Sequence, residues 1–122
     1  PAIYIGRTAG RDIYNRNPID PVIIGADAVQ QGGTGTTDYS VVIGSNACKY
    51  GAGNYSICLG LYAGTPTSGT ASNNPNSIVL NATGANLIAG TNGTFIAPVN
   101  NIFSSDDLCY NSLTAEVSYF QK

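Results

Sequence analysis

One short motif recurs along this chain and limits what it can fold into. It reads "AIYIGRTAG" over residues 2–10, "PVIIGADAV" over 21–29, "SVVIGSNAC" over 40–48 and "SICLGLYAG" over 56–64. A weaker fifth copy, "SIVLNATG", covers 77–84. The first four share three mostly apolar β-formers, a glycine, two variable residues and an alanine. The glycines are Gly6, Gly25, Gly44 and Gly60, and the alanines are Ala9, Ala28, Ala47 and Ala63. Successive glycines lie 19, 19 and 16 residues apart. A period in this range marks a chain built by stacking one supersecondary unit.

Each unit has a simple physical reading. Residues such as Val41, Val42 and Ile43 favour a short strand. Gly44 then allows a backbone geometry that a Cβ would resist. Ala47 is small enough for the next coil to pass close by. One unit of this size cannot bury its own apolar stripe, whereas stacked units share a continuous core. In the fifth copy Asn81 replaces glycine. Asparagine is the next-best residue for a left-handed position, so Asn81 is expected at the same turn. Helical periodicity is absent, and Gly and Asn interrupt every window, so the chain is expected to be all-β. The long spacer over 64–76 and the segment 11–20 are rich in turn formers and are expected as projecting loops.

The stretch "YSVVIGSNACKYGAGNYSICLGLYAG", residues 39–64, resembles the head repeat of trimeric autotransporter adhesins. That repeat also occurs in fibre and tail-spike-like proteins of phages and large DNA viruses. The resemblance implies a left-handed parallel β-roll, with three chains packed around one axis. It covers residues 2–84, although the copies here are longer and less regular than adhesin repeats. "GTFIAPVNNI" followed by "DDLCYNSLTAEVSYF" resembles a segment of viral fibre proteins just upstream of an endosialidase-type intramolecular chaperone. Phe95, Pro98, Leu108, Tyr110, Glu116, Val117 and Tyr119 match that pattern, and Asn100 stands where arginine is common. The resemblance implies a self-cleaving chaperone after Lys122 that assembles three chains. Read from its residues alone, the same segment is a β-hairpin, with 108–110 and 116–120 as strands and 111–115 as the turn. The expected division is a repeat domain over 1–84 and a hairpin or trimer-locking segment over 85–122.

Composition narrows the function. Only 10% of residues are charged, far below the roughly one quarter usual in globular domains. Polar cover therefore comes from Asn, Thr, Ser and Gly, which suits extracellular β-proteins and viral fibres. Five Lys or Arg and a net charge of −2 are too little for a phosphate-tracking surface, so no nucleic-acid partner is expected. No run of about 18 apolar residues occurs, so no membrane insertion is expected, and no secretory leader is visible.

The chain has no histidine, which removes the commonest general base and most catalytic zinc sites. Cys48, Cys58 and Cys109 lack CxxC spacing, and their odd number does not make a disulfide framework. Each has apolar neighbours, which favours buried thiols over a bridge between chains. Glycosidase chemistry needs two carboxylates facing one sugar. Asp106 and Asp107 are adjacent, so a strand would point them to opposite faces; solvated turn residues are the simpler reading. "GGTGTT" over 32–37 lacks the lysine and helix of a phosphate loop. No catalytic residue, cofactor or metal is expected.

Tyr14, Tyr50, Tyr55 and Tyr62 lie in or near turns. Exposed tyrosines can stack on sugar faces, and coil-edge or interchain packing is the structural alternative. Asn54, Asn81 and Asn92 open N-x-S/T triplets, a pattern frequent in any chain of this composition. The expectation is a homotrimeric fibre or adhesin module on a virion surface, or on a bacterial cell surface, contacting a host glycan or receptor. A stalk without receptor contact and a fragment of a polysaccharide-degrading spike are the alternatives.

Overall fold

The computed structural model describes residues 1–11, 18–30, 37–67, 75–99 and 106–121. Six strands form one parallel sheet in sequence order: β1 (Ile3–Ile5), β2 (Val22–Ile24), β3 (Val41–Ile43), β4 (Ile57–Leu59), β5 (Ser77–Asn81) and β6 (Gly93–Ala97). Parallel neighbours in sequence order mean that the chain makes a full circuit between strands, so the fold is a β-solenoid. β7 (Asp106–Asn111) and β8 (Glu116–Gln121) form a separate two-stranded antiparallel sheet. No α-helix occurs among the described residues.

The register is what the motif requires. Ile3, Val22, Val41, Ile57 and Ile78 pair in succession, as do Ile5, Ile24, Ile43, Leu59 and Leu80. Alternation along each strand points the middle residue inward. The inward column is Tyr4, Ile23, Val42, Cys58, Val79 and Phe95, and its four central members are fully buried. The alanines at the far end of the motif face them: Ala9, Ala28, Ala47 and Ala63 are all buried in the same cluster. The core is therefore thin, with small residues where the coil turns back.

Within each motif the glycine carbonyl accepts a bond from the alanine N–H: Ala9 to Gly6 at 3.3 Å, Ala28 to Gly25 at 3.4 Å, Ala47 to Gly44 at 3.2 Å and Ala63 to Gly60 at 3.3 Å. Other backbone groups bond between coils. Gly25, Gly44 and Gly60 each donate to the strand above at 2.8 Å, from N–H to the carbonyls of Ile5, Ile24 and Ile43. A Cβ on Gly44, at φ +140°, would lie 2.7 Å from the Gly60 carbonyl carbon. The residue is fixed both by its backbone angle and by the coil beneath it.

Asn81 departs from expectation. It is the last residue of β5, extended and paired with Ala97, and is not left-handed. Its side chain does the work of the turn instead. Nδ2 donates to the carbonyls of Leu61 (2.8 Å) and Ala85 (2.6 Å), and Oδ1 accepts from the Thr83 N–H (3.1 Å) and hydroxyl (2.7 Å). A second departure is that the parallel sheet continues past residue 84. β6 pairs with β5 along Ser77–Asn81, although its sequence carries no glycine–alanine signature.

The cysteines also differ from the buried-thiol reading. Cys48 and Cys58 are buried, but they are joined by a disulfide that ties the third coil to the fourth. Cys109 is exposed on β7 and is no part of that bond. Cys48 and Val29 both hold left-handed backbone, at φ 45° and 47°, in the column where Gly10 and Gly64 have φ 65° and 69°. A β-branched residue resists this conformation; complete burial of the Val29 side chain offsets the strain.

Gly44→Ala should lower the unfolding free energy by more than about 3 kcal/mol, from steric overlap with backbone and from the left-handed angle together. Gly90→Ala, where a new Cβ would meet nothing within 4 Å, should be near neutral; urea denaturation compares the two. Alkylation of the denatured chain should label one cysteine before reduction and three after it, read by mass spectrometry.

Candidate functional site

The outward positions of the sheet carry the most unusual surface. On an ordinary half-exposed sheet these positions would be polar. Here the five strands β1–β5 place Ile, Val or Leu at both outward positions, giving two apolar columns side by side. The second runs on to Ile96 in β6, while Thr94 ends the first. Ile5 is 57% exposed and Ile96 51%, and Ile3, Ile43, Ile57 and Ile78 are exposed as well. The sequence dictates this because all three strand residues of each copy are apolar, whereas one inward residue per strand would have sufficed for the core.

The corner before the strands is polar within and aromatic without. Pro21, Ser40, Ser56 and Ser77 are buried there. The Ser40 hydroxyl donates to the Gly53 carbonyl at 2.9 Å, and Ser56 and Ser77 hydroxyls lie 3.5 Å apart. One residue earlier in each coil, Asp20, Tyr39, Tyr55 and Asn76 form a column of left-handed residues, φ 50–58°. Tyr39 and Tyr55 stack with centroids 5.3 Å apart and ring planes 11° from parallel. Beside them Asp38 accepts a bond from the Ile19 N–H at 2.8 Å and contacts the Asn54 amide at 3.4 Å.

Of the four tyrosines singled out in the sequence, the three that are described are not brought together. Tyr14 lies outside the described residues. Tyr50 is half-buried, with Lys49 Nζ 5.9 Å from its ring centroid. Tyr62 is half-buried in a different left-handed column, shared with Thr8, Asp27 and Asn46. Tyr55 is the most exposed, at 60%, and its partner is Tyr39, which the sequence reading missed. The shared spacing of "DYS" and "NYS" ahead of two strands was the available signal.

Two of the three N-x-S/T asparagines are tied into the fold: Asn81 by its four bonds, and Asn54 through Asp38, whose N–H donates to the Asn54 side-chain oxygen at 3.1 Å. Asn92 is exposed. Asp106 and Asp107 are consecutive in β7, opposite Gln121 and Phe120. Their side chains lie outside the described residues, as do most of the segments 11–20 and 64–76 that were expected as projecting loops. Among the described residues no group of three or more His, Cys, Asp or Glu is placed to hold a metal ion, and no helix is long and apolar enough to cross a membrane.

No known protein family, curated protein or solved structure matches this chain.

Because the tyrosine stack lies outside the core, Tyr55→Ala should reduce stability by no more than about 1.5 kcal/mol, measured by urea denaturation.

Proposed function

We propose that this chain is a non-enzymatic structural module of a fibre or adhesin, assembled as a homotrimer through the outer face of its parallel sheet. The carrying observation is the pair of apolar columns across β1–β5, exposed or half-exposed among the described residues. Large contiguous apolar patches mark association surfaces. Three copies around an axis would cover these columns and leave the polar Asn, Ser and Thr of the turns in water. The low charge supports the same reading, since charge is depleted at the core of interfaces.

The proposal takes the solenoid as a left-handed β-roll of the adhesin-head kind and the β7–β8 pair as the segment that locks the trimer. Its place is a virion surface, with a bacterial cell surface as the alternative. Contact with a host glycan or receptor would be multivalent, from three identical outward corners. Exposed Tyr39 and Tyr55 support that contact.

Light scattering of the intact chain should give three chain masses. Ile24→Asp combined with Ile43→Asp places six charges on the buried axis and should convert the trimer to monomer. A monomeric parent chain would refute the proposal. Glycan-array binding by the trimer separates an adhesive module from a plain stalk.

A further inference from the structure

We propose that Asn92 is the position at which this chain accepts an N-linked oligosaccharide. The inference goes beyond the fibre reading and does not depend on the number of chains that assemble.

Three asparagines open N-x-S/T triplets, and the fold treats them differently. Asn81 has both amide hydrogens committed, because Nδ2 donates to the Leu61 and Ala85 carbonyls. The hydroxyl of its triplet, on Thr83, donates back to Asn81 Oδ1 at 2.7 Å. Asn54 is half-buried; its Oδ1 accepts the Asp38 N–H, and its Nδ2 lies 3.4 Å from Asp38 Oδ2. The hydroxyl of that triplet belongs to Ser56, which is fully buried. A sugar on either nitrogen would displace bonds that hold one coil against the next. Asn92, Gly93 and Thr94 are all exposed. Among the described residues no hydrogen bond holds the Asn92 amide or the Thr94 hydroxyl. The folded chain therefore has room for a sugar at Asn92 and at neither of the other two.

The surroundings of Asn92 are open. It lies in a bend immediately before β6, and a Cβ on Gly90, two residues earlier, would meet nothing within 4 Å. Thr94 ends the first outward column, so an oligosaccharide on Asn92 stands at the end of the apolar face.

Triplets of this kind are modified in secreted proteins. The buried Cys48–Cys58 disulfide supports that route, because disulfides form and persist in oxidising compartments such as the endoplasmic reticulum. The donor is a lipid-pyrophosphate oligosaccharide, and the catalyst is an oligosaccharyltransferase of the producing cell. Asn92 Nδ2 bonds to the anomeric carbon of the sugar. The bond from that carbon to the pyrophosphate oxygen breaks, its electron pair leaves with the lipid pyrophosphate, and the nitrogen gives up one proton.

The test secretes the full chain from cultured animal cells behind a cleavable leader. Intact glycopeptides from the secreted and the retained fractions are read by mass spectrometry. A glycosidase assay would not serve, since Asn–Gly steps also deamidate spontaneously. The expected result is a glycan on Asn92 in both fractions, none on Asn54 or Asn81 in the secreted one, and complete loss with Thr94→Ala. An unmodified Asn92 in either fraction overturns the inference. So does a secreted chain with a glycan on Asn54 or Asn81, or an Asn92 glycan that survives Thr94→Ala. A monomer that carries the Asn92 glycan refutes the trimeric reading and leaves this inference standing.

Discussion

At Gly6, Gly25, Gly44 and Gly60 successive coils approach so closely that one added carbon would strike the backbone of the coil beneath. This approach lets the strand ladder continue past the end of each strand. The N–H groups of Gly25, Gly44 and Gly60 bond upward to Ile5, Ile24 and Ile43, and those of Asp27 and Asn46 bond to Arg7 and Ala26. Gly10, Val29 and Cys48 then bond to the carbonyls of Ala28, Ala47 and Ala63 in the following coil. Most of these backbone bonds thus run between coils. A single coil would leave these groups unpaired, which is why the unit exists only as a stack.

A coil this narrow has room for one large residue per strand, backed by alanine. The remaining apolar residues of each strand face outward, in two regular columns. The thin core and the apolar exterior are two results of one sequence pattern. Stability of the single chain draws on the middle residue of each three-residue strand, and the proposed association of chains would draw on the two residues beside it.

Much of this was legible beforehand. The glycine and alanine positions, the strand at each copy and the stacking of coils follow from the repeat itself, because steric demand at Gly44 or Ala47 admits few residue types, whereas the parallel order was implied by the resemblance to adhesin head repeats. Other features were hidden for physical reasons. Asn81 keeps its place in the pattern but reaches the turn through its side chain, a solution that composition cannot distinguish from a left-handed backbone. Val29 occupies a conformation that its branching disfavours, and only its burial explains that. β6 joins the sheet through register with β5. The disulfide pairs two cysteines ten residues apart, which adjacent coils bring together across the core. Tyr39 went unnoticed beside Tyr55 because the relevant neighbour lies one coil away, 16 residues off in the chain.

The spacing of the coils carries a mechanical meaning. Hydrogen bonds between strands of a solenoid point along the stacking axis, so tension applied along that axis pulls each rung directly away from the next. Rungs loaded this way open in succession, the weakest first. The covalent link between Cys48 and Cys58 bridges one such step near the middle of the stack. Under load it would keep Cys48 and Cys58 together after the hydrogen bonds around them have opened.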